Sequence, residues 1–74
     1  MTCKIRMLWD EDAQVWVATS EDVPGLVMES GSFDALIERL RIAVPELLQL
    51  NGAAQPEYRL DYQPTRSDRV YAYG

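Results

Sequence analysis

The side chains in this chain that could do chemistry are carboxylates. Asp10, Glu11 and Asp12 stand together, Glu21 and Asp22 precede Val23-Pro24, and Glu38 follows further on. A metal-dependent nuclease needs several carboxylates converging from different elements onto two Mg²⁺ ions, which activate a water and stabilise the leaving oxygen. The opposing reading is that Asp and Glu gather in turns because they are soluble and hydrogen-bond locally. Five of the six flank turn-like segments, so the turn reading is preferred. The chain has no His and a single cysteine, Cys3. That leaves no Cys-His nucleophile, no Cys pair for a zinc site and no glycine-rich phosphate loop. No catalytic residue, metal or cofactor is expected, and the protein is read as not an enzyme. Cys3 reads as a small buried apolar residue on a first strand.

A second kind of chemistry is base stacking. Trp16, Tyr71 and Tyr73 could stack on nucleobases. The cations near them are few, Lys4, Arg6, Arg66 and Arg69, and the chain has a net charge of −5. Nonspecific binding to nucleic-acid phosphates needs clustered cations, so acidity argues against it and favours a basic protein partner. One cysteine forms no internal disulfide, which points to a reducing compartment, the cytoplasm. No apolar run approaches the ~18 residues of a membrane span, and the N-terminus lacks the apolar core of a signal peptide.

These residues need elements to position them. A chain of 74 residues is one domain, 1–74, with a thin core. In CKIRMLW (3–9), Cys3, Ile5, Met7 and Trp9 alternate with the rest at strand period. VWVATS (15–20) is a second strand, rich in β-branched residues. Pairing Trp9 with Val15 sets Met7 opposite Val17 and Ile5 opposite Thr19. The core face is then Ile5, Met7, Trp9, Val15 and Val17, and the outer face carries Lys4, Arg6, Leu8, Trp16 and Ala18. Pro24 fixes φ and Gly25 accepts a positive φ, which specifies a type II turn into a short strand over Leu26-Glu29. Ser32 is the N-cap of a helix with Asp34 in its first turn. Phe33, Leu36, Ile37, Leu40, Val44, Leu47 and Leu48 form one apolar stripe that stays in phase past Pro45. One kinked helix over about 32–50, closed by Asn51-Gly52, is therefore preferred to two short ones. Tyr58, Leu60 and Tyr62 alternate with charged neighbours as a fourth strand ended by Pro64. Val70-Tyr73 is a short edge strand or a frayed end. The fold expected is an α+β two-layer sandwich, an antiparallel β-β-β-α-β sheet with one helix on one face.

The run WDEDAQVWVATSEDVPGL (Trp9–Leu26), followed by an acidic helix reaching VPELLQLNG (Val44–Gly52), resembles the short HicB-like proteins of bacteria, kin to the HicB antitoxins. The likeness covers about residues 3–52. It implies a partial ribonuclease-H-like fold without nuclease activity. It further implies a protein-binding role, in which the domain neutralises a small basic ribonuclease toxin of the HicA type by direct contact. Longer family members add a C-terminal DNA-binding domain, which is not expected here, so DNA binding is not expected either. The alternative is a stand-alone nucleic-acid-binding or oligomeric regulatory domain with no toxin partner.

The outer sheet face is the expected partner surface. Arg6, Leu8 and Trp16 would sit at its centre, with Trp16 as anchor, and Asp10, Glu11, Asp12, Glu21 and Asp22 would form an acidic rim. An apolar patch of this kind also predicts self-association, most simply as a homodimer.

Overall fold

The computed structural model describes residues 1–73; Gly74, the last residue of the expected domain, lies outside them. The elements run β1 (Thr2–Asp10), β2 (Val15–Thr19), β3 (Val27–Ser30), α1 (Phe33–Leu50) and β4 (Arg59–Thr65). This is the expected α+β sandwich of one helix on one sheet, but the sheet is mixed rather than antiparallel. Its order is β3-β2-β1-β4, and β4 pairs with β1 in parallel. The reason is topological. A helix carries the chain from β3 back across the sheet, so the returning strand can run in the same direction as β1.

The hairpin register differs from the expectation by one residue. Trp9 faces Trp16, Leu8 faces Val17 and Asp10 faces Val15. Because side chains alternate, this single step exchanges the two faces of β2. Trp16 and Ala18 turn to the helix, while Val15 and Val17 turn away from it. The loop permits the shift. Asp10 Oδ1 accepts from the Ala13 N–H at 3.1 Å, and Gln14 takes a positive φ of 56°. The packing favours it. A Trp side chain buries far more apolar area than Val, and Trp16 meets Phe33 edge-on at 5.0 Å between centroids and Trp9 at 5.5 Å.

The turn before β3 forms as expected. Leu26 N–H reaches Val23 O at 3.2 Å and Gly25 has φ +83°. The strand itself begins one residue late, leaving Leu26 free to point into the core. Helix α1 runs through Pro45 as one element. The Ser32 hydroxyl accepts from the Ala35 N–H at 3.2 Å. At the other end Ala53 N–H bonds Leu48 O and Gly52 N–H bonds Gln49 O, with Gly52 at φ +78°, a Schellman closure.

Strand β4 does not stop at Pro64 but continues to Thr65. Arg59 N–H donates to Met1 O at 2.9 Å, so odd positions of β4 face β1 and Pro64 presents its missing donor to the free edge, where proline is tolerated. Tyr58 falls outside the strand. Its hydroxyl donates to Ala53 O and accepts from Gln55 N–H, tying down the turn after the helix. Val70-Tyr73 makes no fifth strand.

The core joins Cys3, Ile5, Met7 and Ala18 of the sheet with Val23, Leu26 and the helix residues Leu36, Leu40, Val44 and Leu48. Among the described residues, no polar or charged one is buried in it.

Candidate functional site

The register decides what each face of the sheet can do. On the face away from the helix, paired rows bring Thr65, Leu8, Val17 and Glu29 side by side, then Gln63, Arg6, Thr19 and Val27. Asp10 and Val15 close the hairpin end, and Lys4 and Asp61 lie at the opposite end. Leu8 is 43% exposed and Val27 72%, while Val15 and Val17 are half-buried. The hairpin half of this open face thus has an apolar centre at Leu8, Val15 and Val17, and the other half carries the charges of Lys4, Arg6 and Asp61 beside Val27.

The charged half holds a shallow groove of about 670 Å³ lined by Lys4, Arg6, Thr19, Ser20, Glu21 and Asp22 among others. Its wall is fixed by backbone contacts. Asp22 Oδ2 accepts from the Lys4 N–H at 2.8 Å, and the Ser20 hydroxyl donates to Lys4 O at 2.6 Å while accepting from the Asp22 N–H. Asp22 thereby continues the strand pairing where β2 has ended.

Of the residues expected at a partner surface, Arg6 and Leu8 lie together on the open face. Trp16 does not. It is on the helix side, wedged between Trp9 and Phe33, so the centre of the open face passes to Leu8 and Val17. Asp10, Glu11 and Asp12 occupy the hairpin end, and Glu21 and Asp22 the opposite end, so the two acidic groups do flank the sheet. Several are committed locally. Glu11 Oε2 accepts from Trp9 Nε1 at 2.6 Å, and Gln14 Nε2 donates to Glu11 O at 2.7 Å. Glu38 is on the helix, 3.4 Å from Arg41. Among the described residues, no group of three or more His, Cys, Asp or Glu side chains could hold a metal ion.

Two contacts have no counterpart in the sequence pattern. The guanidinium carbon of Arg66 stands 4.0 Å from the Trp9 ring centroid and 5.9 Å from that of Trp16, giving a stack of Arg66, Trp9, Trp16 and Phe33 along the helix side. Such cation–π contacts place a charge against the negative face of the ring. The second is Arg39 Nη1, which donates to Glu29 O at 2.9 Å and so occupies the β3 strand from the helix. The sequence does carry one signal for the register. Facing Trp with Trp gives an aromatic cross-strand pair, a favourable arrangement that facing Trp with Val forfeits.

Cys3 is fully buried. Burial pushes its thiol upward, and the nearby Asp22 carboxylate adds to the shift. A thiol held protonated is a poor nucleophile. Tyr62 is likewise raised, chiefly by burial. Among the described residues, no helix is long and apolar enough to cross a membrane.

The family model for a domain of unknown function, DUF1902, matches residues 2–72. The chain belongs to this family. Among solved structures, it is similar to the hypothetical protein TTHA1013 from the extremely thermophilic bacterium Thermus thermophilus. The two are 42% identical with a TM-score of 0.82, covering 95% of this chain and 100% of the other. A comparison with curated proteins finds no match.

Proposed function

We propose that this domain is a protein-binding module of the antitoxin type, which occludes a small basic ribonuclease by direct contact and performs no chemistry of its own. The observation that carries the reading is the open face, which offers carboxylate loops at both ends of the sheet to a basic partner and an apolar centre at Leu8, Val15 and Val17 to a second copy. A desolvatable centre inside a charged rim is the anatomy of a protein interface. The net charge of −5 suits a basic partner and would steer it. The likeness of Trp9–Leu26 to HicB-type sequences supports the same class. Full burial of Cys3 and the lack of a disulfide suit a reducing cytoplasm.

In this reading the apolar half of the open face packs against a second copy, making a homodimer. The groove between Lys4-Arg6 and Glu21-Asp22, with the acidic hairpin loop, meets the partner. Neither DNA nor a membrane is a partner. The test is to look for a small basic protein encoded beside this chain and to co-express the two. A stoichiometric complex in which RNA cleavage is suppressed is expected. Neutralising Asp12→Asn and Glu21→Gln together should slow association and flatten its salt dependence while leaving dissociation nearly unchanged. Cleavage undiminished by a molar excess of this chain, or no basic neighbour at all, would refute the proposal.

A further inference from the structure

Residues 66–73 form an arm whose one tie to the rest of the described fold is the stack of Arg66 on Trp9. None of them lies in a helix or strand and all are exposed. Val70, Tyr71 and Tyr73 leave 87%, 72% and 92% of their surface in solvent. The radius of gyration is 14.5 Å, against roughly 11 Å for a compact chain of this length. Large apolar side chains on an extended segment mark a contact that this copy does not make with itself.

Trp9 is on the helix side of β1, and Arg66 stacks on it at 4.0 Å. That stack pins the base of the arm at the rim of the sheet, where residues 65–69 line a shallow groove with Leu8, Trp9 and Glu11, and residues 70–73 run on beyond it exposed. We propose that the arm crosses the open face of a second copy, with Val70 and Tyr71 on Leu8, Val15 and Val17, while that copy's arm does the same in return. This rests on the self-association in the reading above and names the segment that performs it.

Three observations favour a second copy as occupant. The first is reach. Eight extended residues span about 26 Å, and four strands are about 15 Å across, so the arm is long enough to cross the face. The second is charge. Arg66 and Arg69 against Asp68 give the arm a charge of +1, so the remainder of the chain carries −6 of the total −5. The third is what the sheet edges refuse. Arg39 occupies the Glu29 carbonyl of β3 and Pro64 interrupts the outer edge of β4, so strand addition at either edge is obstructed and the open face remains. Exchange of arms closes as a two-fold dimer, with each copy giving one arm and one face.

The test is the mass of the full chain by light scattering at micromolar concentration. It is run beside a Val70→Ser/Tyr71→Ser/Tyr73→Ser variant and a Leu8→Asp variant. The changed residues are exposed, so far-ultraviolet circular dichroism should show each variant folded. Two chains are expected for the unaltered protein and one for each variant. Mixing the two variants at raised concentration should restore a two-chain species, because one intact arm then meets one intact face. A two-chain mass that survives the arm substitutions would overturn the arm while leaving self-association standing. A Leu8→Asp variant that stays dimeric, or a mixture that stays monomeric, would overturn the docking face. A one-chain mass for the unaltered protein would overturn both the arm and the homodimer.

Discussion

The two faces of the sheet are built from alternate residues of the same strands, yet they have opposite fates. Toward the helix, Cys3, Ile5, Met7 and Ala18 are sealed against Leu36, Leu40, Val44 and Leu48. Away from it, Lys4, Arg6, Leu8 and Val17 meet solvent or are only half-covered. The difference is set at one point, the hairpin loop 11–14, whose length decides which face of β2 receives Trp16. One face commits its apolar residues to stability. The other leaves Leu8 and Val27 exposed and Val15 and Val17 half-covered.

Substitutions on the two faces should therefore separate. The largest effect is expected at the centre of the covered face. Leu40→Ala should cost ~2–5 kcal/mol in urea unfolding, a large share of a small domain's stability. Trp16→Ala should cost about 3 kcal/mol, since it removes the stack with Trp9 and Phe33, whereas Leu8→Ala should stay within about 0.5 kcal/mol. Equal losses at Trp16 and Leu8 would mean that the faces are misassigned. Gly25→Ala, outside both faces, should cost about 1–2 kcal/mol from backbone strain alone, because a Cβ there would meet no atom within 4 Å but would sit at φ +83°. The smallest effect is a pH dependence. The folded Cys3 thiol titrates above its unfolded value, so its contribution is whole below about pH 8.5 and is lost as pH rises through the folded value. Stability measured across mildly alkaline pH should fall less steeply in Cys3→Ala than in the unaltered chain. Identical slopes would place the thiol in water.

Much of the fold can be read from local signals. Ser32 with Asp34, the Phe33–Leu48 stripe and Asn51-Gly52 mark the helix, because capping and 3.6-residue periodicity act within a few neighbours. Pro24-Gly25 marks its turn for the same reason. The hairpin register is not legible from alternation alone. Both Trp9↔Val15 and Trp9↔Trp16 satisfy it; the aromatic cross-strand pair favours the second, and the tertiary contact with Phe33 fixes it. The parallel placement of β4 depends on where the helix returns the chain, which no local pattern states. Pro64 reads as a strand end until its donor is known to face an open edge. For the site, Arg6, Leu8 and the two acidic loops follow from strand period and turn chemistry. The one-residue register error puts Trp16 on the wrong face, and it hides the roles of Val15 and Val17. The Arg66 stack on Trp9 joins residues far apart in sequence and leaves no signal of its own.

In the proposed reading the open face is the working surface of this domain, and the helix face is its scaffold. Methyl resonances observed by NMR as the protein is diluted test that division most directly. The methyls of Leu8, Val15, Val17 and Val27 should shift with concentration while those of Leu36, Leu40 and Val44 stay fixed. Open-face methyls that do not move over the whole range, or shifts confined to Ile42 and Leu50 on the exposed side of the helix, would contradict it.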